Sequence, residues 1–203
     1  MVNWENDAPR IFKAAKWKEP TQAKYLEKVE REGNKAKVNA LREYTGGSSL
    51  WFNNYLRGLN LSSLSKSAKA TLKNKTRHLN ELIRDAPRSK RNVVVFRAVS
   101  EKALSRRFQN YRRGADADFL SRGLVSTSIE AAGAWKFIED DEKCCFLVLL
   151  LPKSTAMLEV FQLSQFEYEK EVLLPHGSKF KITKTTVIDG ITTFYCVLVG
   201  QEI

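Results

Sequence analysis

Histidine is nearly missing from this sequence. Only His78 and His176 occur, neither has an evident Ser or Cys partner, and a nucleophilic triad has no support. Cysteine is almost as scarce: Cys144, Cys145 and Cys196 are too few and too unevenly spaced for a disulfide framework. No Cys/His cluster has zinc spacing, so no metal is expected. No Gly-x-Gly-x-x-Gly follows a strand, which removes the Rossmann route to dinucleotide binding. The longest apolar run, Cys144 to Leu151, is too short to span a membrane. Met1-Val-Asn-Trp-Glu-Asn-Asp lacks the charged and apolar regions of a signal peptide. Together these absences point to action in a reducing cytoplasm, that of the producing cell or of a target cell reached by a route not written in the chain.

Acidic residues are short in one half only. Of the net charge of +11, residues 1–90 carry +10, with 19 Lys/Arg against 9 Asp/Glu, while residues 91–203 are nearly balanced at 15 against 14. A basic half suits an acidic partner: nucleic acid, an anionic protein surface or a phosphorylated ligand. A solubilising surface explains it equally well.

The length of 203 residues suits one domain, 1–203, mainly helical to about residue 90 and strand-rich from 91. Thr21 is placed to cap a helix running through Tyr25, Leu26 and Val29 towards Leu41, with Gly33 as a break. The aromatic-rich piece Leu50–Arg57 reads as a helix whose Trp51 and Tyr55 pack in the core. Across 61–86 the residues Leu61, Leu64, Ala68, Leu72, Leu79 and Ile83 share one helical face. Lys66, Lys69, Lys73, Arg77 and Arg84 form a stripe turned away from it.

After Pro87 the pattern changes. Val93–Val99 is a β-branched strand with Arg97 inside it, a charge that must face a cleft or bind an anion. Residues 101–120 read as helix then loop, Gly123–Ser128 as a hydroxyl-rich strand, and Ala131–Ile138 as a short helix. Further strands follow at 146–151, 156–160, 171–174, 179–183 and 192–199, with Asp189-Gly190 as a hairpin turn. Helices first and strands later indicate an α+β fold.

The stretch Ser164 to Pro175 turns from polar and aromatic to apolar at Glu171. Glu169 and Glu171 sit two apart, so a strand reaching back that far would aim both carboxylates at one face. Paired carboxylates at a strand entrance serve acid/base or oxocarbenium chemistry. A solvated surface pair is the commoner meaning of Glu-x-Glu.

Val95-Phe96-Arg97, Ser126-Thr127-Ser128 and Glu169-Lys170-Glu171-Val-Leu-Leu-Pro stand in fixed order. The set resembles the Arg-Ser-Glu class of mono-ADP-ribosyltransferases, which includes bacterial binary-toxin enzyme components. Tyr44-Thr45-Gly46 through Asn53–Gly58, and Pro175–Ile182, look like the same family, so the likeness spans 44–182. It implies helices packed on a two-sheet strand core, with NAD as co-substrate and a toxin or effector role. It implies that Glu171 grips the ribose in an oxocarbenium-like transition state, oriented by Ser126, while Arg97 meets the pyrophosphate. Ala98, Ser126, Thr127, Ser128, Phe137, Asn53 and Tyr44 would join Arg97 and Glu171 in holding NAD. Glu169 at the first position of the pair goes, in the family, with arginine as acceptor, and Phe166 and Tyr168 would steer the target with it. Ala98 stands where Gly is commoner, and Asp140 and Asp141 occupy the region where some relatives place a second basic residue.

The implied activity is transfer of ADP-ribose from NAD to an arginine of a target protein, itself acidic or nucleic-acid-associated, by a monomeric enzyme. The same bond-breaking residues would serve an NAD glycohydrolase. The basic 61–86 stripe is the argument for a nucleic-acid-binding module instead.

Overall fold

The computed structural model describes residues 22–100, 104, 108–109, 118–135 and 143–202. Helix α1 (Ala23–Arg31) ends at Gly33, whose φ of 83° lets the chain reverse into α2 (Lys35–Glu43). Thr21 lies outside the described residues, and Gln22 occupies the cap position without a side-chain cap bond. The chain kinks at Gly46 and Gly47, where φ reaches 101°, and restarts as α3 (Ser49–Leu56). Helix α4 (Lys66–Asp85) is capped by Ser65, whose hydroxyl accepts from the Ala68 amide at 3.1 Å. Its inward stripe is Thr76, Leu79, Leu82 and Ile83.

Nine strands follow among the described residues: β1 (Val93–Ser100), β2 (Phe108–Gln109), β3 (Asp118–Ser121), β4 (Val125–Ser128), β5 (Cys144–Leu151), β6 (Leu158–Glu159), β7 (Glu171–Leu174), β8 (Ser178–Ile188) and β9 (Ile191–Gln201). Their hydrogen-bonded order is β2-β3-β8-β9-β5-β1-β4-β7-β6. The order has a narrow seam. β1 pairs with β5 over its full length, Val93↔Leu151 to Ser100↔Cys144, but meets β4 only at Phe96↔Ser128. The strands make one sheet, in which the seam sets off a long β2–β1 side from a small β4-β7-β6 side where the resemblance implies two sheets. Short helix α5 (Ala131–Trp135) follows β4 and packs on β1.

The helices cover the small side. Leu124, Leu158 and Leu173 share one buried cluster with Leu26, Leu41, Phe52, Leu79 and Ile83. The opposite faces of β4 and β7, through Val125, Val172 and Leu174, join the cluster built on β1, β5, β8 and β9. Asp189 and Gly190 take φ of 51° and 80°, the paired positive values of a tight hairpin turn, as expected.

Three expectations fail. Trp51 is 55% exposed and Tyr55 only half-buried; the aromatic that enters the core is Phe52, edge-on to Tyr44 with centroids 5.6 Å apart. Asp118–Ser121, read as helix then loop, is a strand pairing with β8. The strand read over 156–160 shrinks to Leu158–Glu159.

Gln22 ties the first helix to the sheet. Its fully buried amide donates to the Pro87 and Met157 carbonyls at 2.7 and 3.0 Å and accepts from the Glu159 amide at 2.7 Å. Gln22→Ala orphans all three groups, so a loss of about 3 kcal/mol is expected in urea unfolding. A change under about 0.5 kcal/mol would contradict this role.

Candidate active site

Strand alternation aims Arg97. Val93, Val95 and Val99 belong to one core cluster, and Val94, Phe96 and Ala98 to another on the opposite face. Arg97 therefore shares the face of Val95 and Val99, at the end of that core, and is 8% exposed. Its Nη1 donates to the Ser126 carbonyl across the seam. Ala98 is fully buried in the other cluster.

Alternation along β4 sends Thr127 to the face opposite Ser126 and Ser128. Ser126 points into a cavity with Arg97. Thr127 is buried and donates to the Val172 carbonyl at 2.7 Å, clamping β4 to β7. Ser128 is buried and accepts from the Glu130 amide at 3.0 Å at the entry to α5. Ser126 therefore enters the cavity, whereas Thr127 and Ser128 hold its wall.

A directed hydrogen-bond chain ends on Glu171. Asn53 Nδ2 donates to the Tyr44 hydroxyl at 3.2 Å. Tyr44 then has one proton to give, and the Ser126 hydroxyl lies 3.1 Å away. The Glu171 carboxylate can only accept, so Ser126 donates its proton there and its oxygen receives the Tyr44 hydroxyl. Burial of Tyr44 and the nearby Glu171 charge raise the phenol above its ordinary value, which keeps it neutral and a donor.

Glu171 opens β7 and is 4% exposed. Burial pushes its carboxyl up to about 7; the Ser126 hydrogen bond and the Arg97 charge pull downward, and the Glu169 charge pushes up. Desolvation wins. The site thus holds a carboxylate that is poorly solvated and eager for positive charge.

Glu169 reaches the cavity by a different route from the one its spacing suggests. Glu167–Glu169 is a single 3₁₀ turn, and Lys170 takes φ 46°, ψ 48°, so strand alternation stops at Glu171. The turn, not the pleat, brings Glu169 to the cavity beside Glu171. It is half-buried, and burial raises its pKa as well. Gly133 on α5 backs this turn: a Cβ there would lie 2.6 Å from the Glu169 carbonyl oxygen and 2.5 Å from Ser128 Oγ, so only glycine allows the close approach.

The cavity encloses about 260 Å³ between α3, the Gly46–Gly47 kink, β1, β4 and the Glu169 turn. Of the sequence-predicted residues it gathers Tyr44, Asn53, Arg97, Ser126, Phe166, Glu169 and Glu171. Tyr168 is exposed, outside the lining, with its ring edge-on to Phe166 at 6.0 Å. Phe137 lies outside the described residues; the aromatic seen at the end of α5 is Trp135, stacked on Phe146 at 4.7 Å. Arg57 also lines the cavity and was not singled out from sequence. Its signal was available: it stands four residues after Asn53, on the same side of α3. A Cβ on Gly123 would strike the side chains of both, at 2.5 Å for Asn53 Oδ1 and 2.8 Å for Arg57 Nη2. Among the described residues no group of three His, Cys, Asp or Glu could hold a metal ion.

These features bring two carboxyl side chains and two arginines together around one cavity. The chain belongs to the ADP-ribosyltransferase exoenzyme family, whose model matches residues 14–198. No curated protein matches it. Among solved structures it is similar to Plx2a, an ADP-ribosyltransferase toxin from Paenibacillus larvae, with TM-score 0.69 and 19% identity over 98% of this chain and 100% of that one. It is also similar to C3stau2 from S. aureus, solved with NAD, with TM-score 0.65 and 19% identity over 92% and 100%. An ADP-ribosyltransferase from Clostridium botulinum gives TM-score 0.63 and 15% identity over 91% and 99%.

A carboxyl raised from 4.5 to about 7 binds its proton more tightly folded than unfolded. Stability from this group is complete below pH 4.5 and is lost between 4.5 and 7, by roughly 3 kcal/mol. Glu171→Gln cannot ionise. Relative to wild type it should gain stability by about that amount between pH 4.5 and 8 in urea titrations. A wild-type-to-variant difference that stays flat over this range would contradict the buried carboxyl.

Proposed function

We propose that this chain is an NAD-dependent mono-ADP-ribosyltransferase that modifies arginine side chains of a target protein. One observation carries the reading: two carboxylates share one cavity but differ in environment, Glu171 dry and hydrogen-bonded, Glu169 half-exposed on a separate turn.

The residues fit NAD. Asn53 Oδ1 is buried without a hydrogen-bond partner among the described residues, an acceptor suited to a ligand donor. Arg97 and Arg57 line the same space and offer planar guanidinium donors for a pyrophosphate. Arg57 thus stands in for the second basic residue whose absence the sequence had suggested. C3stau2 was solved with NAD, and Exoenzyme S from Pseudomonas aeruginosa with Carba-NAD.

Bound NAD supplies the ADP-ribosyl group, with nicotinamide leaving and positive charge developing on the ribose. Glu171, already short of solvation, stabilises that charge more strongly than a hydrated carboxylate would. Ser126 holds Glu171 in place, and the Asn53–Tyr44 chain holds Ser126. Glu169 receives the acceptor. A guanidinium is protonated and a poor nucleophile in water, and a half-buried carboxylate with a raised pKa is suited to hold it and accept its proton. Phe166 flanks Glu169 inside the cavity and Tyr168 outside it, which suits contact with a protein surface. A similar structure, Vis from Vibrio splendidus, was solved in complex with agmatine, an amine bearing a guanidinium. The setting is the cytoplasm of a target cell, in keeping with an exoenzyme family.

Glu171→Gln should abolish both NAD cleavage and transfer. Glu169→Gln should retain NAD cleavage, with water as acceptor, and lose labelling of agmatine and of protein arginine. Both are read with NAD carrying a labelled adenylate half. Unchanged NAD cleavage in Glu171→Gln, or unchanged agmatine labelling in Glu169→Gln, sinks the respective role.

A further inference from the structure

A second cavity, of about 430 Å³, opens beside α3, next to the candidate site. Leu50 lines the first and Leu56 the second. Arg57, directly after Leu56, also lines the first, so the two cavities open on adjoining sides of α3. The far wall is one face of α4, with Lys73, Arg77 and Arg84 on it, and the end is closed by His176, whose Nδ1 lies 3.2 Å from Asn80 Oδ1.

The charge here is one-sided. Glu81 is the one acid in the wall, and it is already matched by Lys37 at 3.0 Å and Arg77 at 2.6 Å. Arg84 is held by Asp85 at 2.9 Å. Lys66, Lys69 and Lys73 have no acidic partner among the described residues, and they recur every three or four residues along one side of α4. Lys73 lines the opening beside Leu56, and Lys69 and Lys66 continue its side of α4 one and two turns away, extending the positive charge beyond the cavity.

That combination selects among anionic partners. Neither α4 nor the lining of this cavity carries a Phe, Tyr or Trp, so single-stranded bases find no such ring to stack on within it. The site is a concavity, which suits an inserted side chain better than a plane of lipid headgroups. We propose that the α3–α4 face docks an acidic segment of a partner protein, with an apolar side chain seated on Leu56 and flanking carboxylates on Lys69 and Lys73. In the transferase reading above, on which this last step rests, the segment belongs to the modified protein. The site would then fix the target while its arginine reaches Glu169 around α3.

The test is fluorescence anisotropy with a labelled peptide of alternating Glu and Leu, on wild type and on the double variant Lys69→Glu, Lys73→Glu. The expected result is salt-sensitive binding that weakens about tenfold or more in the variant, with an unchanged melting midpoint. Lys69→Gln with Lys73→Gln replaces the reversal if it lowers the midpoint. Equal binding by both proteins overturns the proposal. So does absence of peptide binding, including the case where homopolymeric RNA or phosphatidylserine vesicles bind instead. The assay contains no NAD, so failure of the transferase reading, seen as no NAD turnover in wild type, is a separate result.

Discussion

The candidate site depends on keeping one carboxylate out of water. Glu171 gains a hydrogen bond from Ser126 and the nearby charge of Arg97, yet burial outweighs both and its pKa rises to about 7. The cost is of order 3 kcal/mol to the folded protein at neutral pH, a large part of the margin of an ordinary domain. Such strain persists where the surroundings over-determine it. Here they do: Val172 and Leu173 after it are fully buried, its carbonyl accepts from the Val160 amide, and Ser128 of β4 pairs with it. An unsolvated anion is a strong partner for positive charge that appears only during reaction.

Ser126 is where the fold converges on that carboxylate. Its carbonyl receives Arg97 from β1, its hydroxyl meets Tyr44 from the helical part, and the same hydroxyl reaches Glu171 on β7. The seam between β1 and β4 explains why there is room. Two long strands paired throughout would leave no gap, whereas a single shared pair at Phe96↔Ser128 lets the small sheet part diverge and open a cleft beside Arg97. The helices close the cleft from the other side through the kink at Gly46–Gly47 and the start of α3.

Much of this was legible in the residues. The charge inside Val93–Val99 had to face something polar, the Asp189-Gly190 turn had to be a hairpin, and the apolar run after Glu171 had to be a buried strand. Period-2 alternation alone separates Thr127 from Ser126, a division the expectation of three NAD-holding hydroxyls did not use, but it does not separate Ser128, which is drawn to the entry of α5. The phase of α3 was not legible. Leu50-Trp51-Phe52 is apolar at consecutive positions, and which ring turns inward is set by the Gly46–Gly47 kink and by contact with Tyr44. Hence Phe52 is core, and Trp51 is on the surface. The route of Glu169 was hidden for a similar reason: a left-handed Lys170 is a tertiary outcome that the spacing of Glu-Lys-Glu does not announce.

The most direct test of the account is the pH profile of kcat/KM for NAD cleavage in wild type and Ser126→Ala. In the proposed reaction ionised Glu171 is the active form, so the rate should rise with pH through an inflection near 7. Ser126 pulls that pKa down, so removing its hydroxyl should move the inflection higher. An inflection in the ordinary carboxylate range, or one that Ser126→Ala leaves in place, would contradict the dry, Ser126-held carboxylate on which the rest is built.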